Sequence, residues 1–330
     1  MKIKIFRAAD ISRSLSMIEA IEVVKDAFVQ LSNRQAQSPV RTSLNLKNPG
    51  DVALTMPAFL GETPALGAKI VTVFPRNPSQ GLPAIQALVI LFDATTGSPS
   101  AILEGTHLTR LRTGAATGAA TQVLSRRDAK TLALFGAGGQ AFDQVQGVWA
   151  ARKVERTMIF DLLPERVDAL IDRLKENPLD REKEILKARS PEEALEGADI
   201  VVTATSSRQP VFPGKLLGAG AHVNAIGAFK PEMQEVDEET ILRSRIFVDS
   251  REACLEEAGD LIIPLKKGLI GQADIQAEFG EVIAGKNPGR RNQEEITYFK
   301  SVGHAVQDIS VAQAVIQRAA AQGLGREVEL

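Results

Sequence analysis

Thr131-Leu132-Ala133-Leu134-Phe135-Gly136-Ala137-Gly138-Gly139-Gln140-Ala141 reads as an apolar strand running into a glycine-rich turn, with a helix predicted from Gln140 to about Arg152. The G-x-G-x-x-A spacing suits a turn whose backbone N–H groups and helix N-terminus must approach a pyrophosphate. Side chains at Gly136 and Gly138 would block that approach, Gly139 and Gln140 complete the turn, and the small Ala141 lets the helix sit close to the strand. Ordinary strand–helix connections use glycine too, so the flanks decide. A second strand, 157–160, ends at Asp161, where a carboxylate can accept hydrogen bonds from an adenosine ribose 2′-OH. The stretch therefore predicts a Rossmann unit that binds a nicotinamide dinucleotide. Leu162-Leu163-Pro164 follow Asp161, with no cation before Arg166. NADP sites usually present a cation to the 2′-phosphate. NAD(H) is thus expected ahead of NADP(H), with Arg166 the residue best placed to admit the latter.

Working outward, strand–helix alternation continues. Pro164 suits the first position of a helix, and Ser190-Pro191-Glu192-Glu193 combines an N-cap serine, a first-turn proline and an N3 glutamate. Segments 199–204, 221–226 and 245–248 read as short apolar strands. Near their carboxyl ends lie Thr205 and Asn224-Ala225-Ile226-Gly227, at the edge that faces the ligand in an open parallel sheet. Before residue 128 the texture differs. Ser16 and Glu19 have capping-box spacing, and Ile18, Ile21, Val24, Phe28 and Leu31 predict one buried helix face. Segments 52–56, 68–73 and 84–92 read as strands of an antiparallel or mixed sheet, separated by Pro/Gly turns. A helix over 113–124, rich in glycine and alanine, offers a surface for close approach of another backbone, and 302–324 has helical spacing. The fold class is α/β: a Rossmann-type parallel sheet with a smaller α+β domain.

The 330 residues, 44% apolar and 24% charged, are ordinary for a globular chain of two domains. Lys and Arg total 39 against 41 Asp and Glu, a balance that argues against nucleic acid or a charged membrane surface as partner. No apolar run approaches the ~18 residues of a membrane span, and no secretory signal pattern opens the sequence, so a cytoplasmic location is expected. Cys254 is the single cysteine, read as a small apolar filler. His107, His222 and His304 form no metal-ligand spacing, so no metal is expected.

Further residues resemble a known family. Leu108-Thr109-Arg110-Leu111-Arg112-Thr113-Gly114-Ala115-Ala116 is similar to the L-T-x-x-R-T-G-A-A signature of the ornithine cyclodeaminase/μ-crystallin family. Gly67-Ala68-Lys69, Gly136 to Ala141, Asn224 to Gly227, Gly259-Asp260-Leu261-Ile262-Ile263-Pro264 and Ser301-Val302-Gly303 match further family motifs in order. The resemblance implies that 1–118 with 304–330 forms a substrate-binding and dimerisation domain, and 119–303 the Rossmann domain of a homodimer. It implies that Arg41, Lys69 and Arg112 hold a substrate carboxylate, with Phe229 and Val302 beside the substrate. It places Arg112, Thr205, Asn224, Ala225, Ile226 and Ser301 at the cofactor. Read on their own, Lys69 inside an apolar strand needs a partner for its charge, and Arg112 offers a planar fork to a carboxylate. Taken alone, Arg41 reads as a surface cation. Asp308 is a proton-transfer candidate, although a helix-surface carboxylate or an acid in a helix's N-terminal turn is the more ordinary reading.

Two departures bear on the reaction. Phe229 stands where the cyclodeaminases carry an aspartate base, and Ala84 follows Gly81-Leu82-Pro83 where they carry a threonine. Phe229 followed by Pro231-Glu232-Met233 resembles instead the branch of Δ1-pyrroline-2-carboxylate and related ketimine reductases. That implies an NAD(P)H-dependent reductase of small cyclic α-imino acids, with Lys69, Arg112 and Asp308 as catalytic residues. An alanine dehydrogenase-like enzyme, a true ornithine cyclodeaminase and a non-catalytic ligand-binding protein stand as alternatives.

Overall fold

The computed structural model describes residues 2–176 and 182–329. Two compact units divide the chain: Met1–Arg112 with His304–Leu330, and Thr113–Gly303. The first break falls inside a helix, Gly105–Leu124, which begins earlier than its run of small residues suggests.

In the first unit, seven strands precede the break: β1 (Lys2–Phe6), β2 (Ala36–Gln37), β3 (Thr42–Asn45), β4 (Val52–Leu60), β5 (Ala65–Val73), β6 (Ile85–Phe92) and β7 (Pro99–Glu104). The sheet is mixed. The β7-β6-β5-β4 ribbon is antiparallel, while β1 joins β7 in parallel. A C-terminal strand, Arg326–Glu329, pairs antiparallel with β1. It was not apparent in the sequence, whose tail reads as helical to 324; the helix Ala305–Ala321 stops earlier, before Gly323 and Gly325 adopt positive φ. That helix packs on β4, β5 and β6 and on the helix Met17–Ser32. The capping box forms, Ser16 N–H donating to Glu19 Oε2 at 2.8 Å. Ile21, Val24 and Phe28 are buried as their spacing predicts, but Ile18 in the first turn is 47% exposed.

The second unit carries β8 (Thr131–Phe135), β9 (Arg156–Phe160), β10 (Glu184–Lys187), β11 (Ile200–Thr203), β12 (His222–Ala225), β13 (Ser244–Val248), β14 (Ile275–Glu278) and β15 (Ile296–Lys300). All pairings are parallel, in the order β10-β9-β8-β11-β12-β15-β13-β14. Strand order reverses between β8 and β11, the switch point at which open α/β sheets bind ligands. Wholly buried strands explain the unbroken apolar runs Leu132–Phe135 and Ile200–Val202. The small-residue helix is used as its composition predicts: a Cβ on Gly147 of the helix Ala141–Ala151 would lie 2.0 Å from the Gly114 carbonyl oxygen.

Candidate functional site

In the second unit β8 delivers Gly136 at φ +98°, a left-handed conformation that disfavours any side chain. A Cβ there would stand 2.7 Å from the Ala204 carbonyl oxygen and 2.8 Å from Thr205 Cγ2. On Gly138 and Gly139 a Cβ would meet no atom within 4 Å, so their Cα faces open onto space that a pyrophosphate can approach. Gln140 holds the N-cap position of the helix that starts at Ala141, without a side-chain cap. Asp161 follows β9. Its Oδ2 accepts the Ala137 N–H at 2.7 Å and its Oδ1 the Leu163 N–H at 2.9 Å. The carboxylate thus braces the glycine turn and keeps lone pairs for a ribose hydroxyl. Arg166 is exposed on the helix Pro164–Lys175. The turn and its carboxylate fit the pyrophosphate and adenosine ribose of a dinucleotide.

Thr205 lies just beyond β11, and Ala225 and Ile226 are buried at the end of β12. Asn224 is wholly buried and its side chain is engaged within the unit: Oδ1 faces His222 Nε2 at 3.2 Å and Nδ2 donates to Thr121 Oγ1 at 3.2 Å. Burial pushes His222 down to about 3, so the imidazole in this network is neutral. Phe229, in the loop after β12, is partly buried against the core of the unit. The turn Ser301-Val302-Gly303 is gathered by one carboxylate that no sequence pattern singles out. Asp249 Oδ2 accepts from Ser301 Oγ at 2.7 Å, Val302 N–H at 3.0 Å and Gly303 N–H at 2.9 Å. Cys254 is buried, as a filler should be, with Sγ 3.2 Å from Asp249 Oδ1.

In the first unit the strand alternation of β5 turns Lys69 to the inner face, between Met56 of β4 and Val89 of β6. Lys69 is 2% exposed, and its Nζ lies 2.8 Å from Asp308 Oδ2. Arg112 Nε donates to Asp308 Oδ1 at 3.0 Å, and Arg112 Nη1 to Gln307 Oε1 at 2.7 Å. Asp308 is therefore the N-terminal-turn acid of its helix and not a carboxylate on the helix surface. It sits in the first turn of Ala305–Ala321 with no exposure, because that turn faces the sheet. Gln307, its neighbour, belongs to the cluster as well; only its adjacency to Asp308 could have drawn attention to it. Arg41 lies in the loop before β3, half-buried, and its charge acts on Lys69.

The electrostatics follow from two cations sharing one carboxylate. Burial pushes the Lys69 ammonium down, Asp308 pulls it up, and the Arg112 and Arg41 charges push it down again, leaving it at about 7. Burial alone would raise the Asp308 carboxyl, but Arg112 and Lys69 outweigh it and hold it below its ordinary value. Two cations against one buried anion leave a positive excess, which suits a small carboxylate ligand. Among the described residues no group of three or more His, Cys, Asp or Glu side chains is placed to hold a metal ion.

An all-parallel Rossmann sheet with a G-x-G-x-x-A turn and a carboxylate after its second strand defines a dinucleotide-binding α/β protein, here joined to a unit with a buried cationic cluster. The chain belongs to the ornithine cyclodeaminase/mu-crystallin family, whose model matches residues 1–323. It is 41% identical over 316 residues to a Delta(1)-pyrroline-2-carboxylate reductase of Bacillus cereus, covering 96% of each chain. The solved Delta(1)-pyrroline-2-carboxylate reductase of Thermococcus litoralis, in complex with NADH and L-proline, superposes with a TM-score of 0.95 at 38% identity, over 99% of this chain and 100% of that one. An archaeal alanine dehydrogenase dimer with bound NAD matches with a TM-score of 0.92 at 33% identity over 100% of both chains.

Proposed function

We propose that the protein is an NAD(H)-dependent reductase of small cyclic α-imino acids, reducing Δ1-pyrroline-2-carboxylate to L-proline. The observation that carries the reading is the Lys69–Asp308–Arg112 cluster, in a chain similar from end to end to reductases of that substrate. Bound nicotinamide supplies the hydride that reduces the imine carbon. Arg112, with Nε and Nη1 already engaged, turns Nη2 to the substrate carboxylate, and Arg41 adds a second cation. Lys69, poised at about 7, carries a proton on Nζ near neutrality and delivers it to the substrate nitrogen. Asp308 holds both cations in register. Phe229 offers an apolar side chain where a cyclodeaminase carries its acid. An imine substrate already contains the C=N bond, so the aspartate base of a cyclodeaminase is dispensable.

The test follows NADH absorbance with Δ1-pyrroline-2-carboxylate, its six-membered homologue, and pyruvate plus ammonium. Turnover of either cyclic imine supports the reading. Turnover of pyruvate and ammonium alone would make the protein an alanine dehydrogenase, the reading that the archaeal structure favours. Tight NADH binding with no turnover would leave a ligand-binding protein, and release of ammonia and proline from ornithine would restore cyclodeamination. The same reading includes a homodimer and a cytoplasmic location; no described helix is long and apolar enough to cross a membrane.

Preference for NADH over NADPH rests on Asp161. A phosphate ~4 Å from its carboxylate would be disfavoured by on the order of 4 kcal/mol at an effective dielectric of about 20. The ratio of kcat/KM for NADH and NADPH should favour NADH, and Asp161→Ser should narrow it; equal use of both by the wild type removes the argument. Because Asp161 also braces Ala137, the variant should lose some NADH affinity.

A further inference from the structure

Behind the dinucleotide crevice lies a carboxylate that the reaction does not use. Glu235 is wholly buried in the second unit. Its Oε1 accepts the Thr205 N–H at 2.6 Å and the Thr205 hydroxyl at 2.8 Å. Its Oε2 accepts the Gly227 N–H at 2.6 Å and the Ala228 N–H at 2.9 Å. One side chain thus ties the segment leaving β11 to the segment leaving β12. Three of its four partners are backbone N–H groups, which can only donate, so the cradle is built for an ionised carboxylate although burial pushes the Glu235 pKa up. The brace is itself held. Asp260 Oδ1 accepts the Glu235 and Val236 N–H groups at 2.7 and 3.2 Å, while its Oδ2 takes Lys300 Nζ at 2.9 Å and the Tyr298 hydroxyl at 3.2 Å. The fit also explains Gly227: a Cβ there would stand 2.1 Å from the Thr205 carbonyl oxygen and 2.5 Å from Glu235 Oε1.

We propose that Glu235 is the positioning residue for the nicotinamide half of the cofactor, setting through the ends of β11 and β12 the walls against which that half rests. The proposal relies on the dinucleotide reading above. The glycine turn after β8 and Asp161 after β9 take the pyrophosphate and the adenosine ribose. The remaining half of an extended dinucleotide therefore runs the other way from the switch point, over β11 and β12. Phe229 follows Ala228 directly, so the same carboxylate fixes the start of the loop that presents the ring.

A selective loss of affinity separates this role from general support of the fold. ADP carries the adenosine ribose and the pyrophosphate but no nicotinamide. Glu235→Gln keeps the volume but turns an amide nitrogen toward N–H donors. In this variant the Kd for NADH, from fluorescence titration, should rise by at least ~10-fold, since hydrogen bonds to a charged group are strong and an unmade buried one is costly. The Kd for ADP, from calorimetry, should stay unchanged. Thr205→Val removes one donor to the same carboxylate and should show the same selectivity on a smaller scale, which keeps the test open if the glutamine variant does not fold. Equal weakening of ADP and NADH, or an unchanged Kd for NADH, overturns the proposal. Wild-type protein that binds neither nucleotide would instead overturn the dinucleotide reading.

Discussion

Lys69 shows how a single position acquires its chemistry from what surrounds it. An ammonium wholly inside a sheet face would be costly on its own, and Asp308 offsets that cost while Arg112 works against it. The sign of a change at Asp308 follows. Asp308→Asn removes the influence that raises Lys69, so the lysine should lose its proton at lower pH. The alkaline limb of kcat for imine reduction, expected near 7 in the wild type, should move to lower pH, and the rate at pH 8 should fall further than the rate at pH 6. A limb that stays in place would separate Lys69 from the proton transfer. Arg112 is bound at Nε and Nη1 before any substrate arrives. Its substitution therefore releases Asp308 and Gln307 as well as the ligand. With about 1.5–3 kcal/mol for each charge-assisted contact, Arg112→Ala should lower kcat/KM by at least ~10-fold. Arg112→Lys should recover little, because a point charge cannot hold two acceptors and a carboxylate in one plane. Recovery to near the wild-type value would show that charge alone suffices.

At the scale of elements, the cluster exists because the helix Ala305–Ala321 lies close on β5, and that closeness depends on Gly67. A Cβ on Gly67 would stand 2.4 Å from the Ile90 carbonyl oxygen and 3.0 Å from Ile309 Cδ1, one residue from Asp308. Gly67→Ala should thus lower the melting temperature and, by displacing the helix from the strand, weaken substrate more than NADH. A variant that melts as the wild type does, with an unchanged KM for the imine, would show that the strand and helix yield without cost. The contrast between the two units explains what the sequence made legible. The Rossmann half was readable because its rules are local: β8, its glycine turn, the helix Ala141–Ala151 and Asp161 are contiguous or one strand apart. The buried partner of Lys69 was not, because Asp308 lies far along the chain and only the tertiary placement of its helix decides whether it faces solvent or sheet. Glu235 and Asp249 were hidden for a related reason: neither sits in a periodic pattern, and each is defined by backbone N–H groups of segments outside its own element. The terminal strand Arg326–Glu329 escaped because its four residues carry no apolar alternation and owe their form to pairing with β1.

For the molecule as a whole, the sheet of the first unit poses a physical question that a monomer does not answer. Its inner face is covered by the helix Ala305–Ala321, on which the helix Met17–Ser32 packs. Its outer face is also apolar. Ile70 pairs with Leu88, Ala68 with Ile90, Ile90 with Ile102, and Ile102 with Ile5, so these side chains form a continuous patch across four strands. Ile70 is 45% and Leu88 50% exposed. Patches of this kind on a soluble sheet mark association surfaces, and a two-fold related copy would bring the same patch against itself. Stable interfaces bury about 800 Å² on each partner. The protein should therefore run as a dimer in light scattering. Leu88→Arg would set a cation into the patch and, across a two-fold axis, near its own copy or against desolvated carbon, either of which disfavours association. The variant should shift to monomer with its NADH affinity intact, since the glycine turn and Asp161 belong to the other unit. A wild-type monomer, or a Leu88→Arg dimer of unchanged stability, would remove this face as the interface.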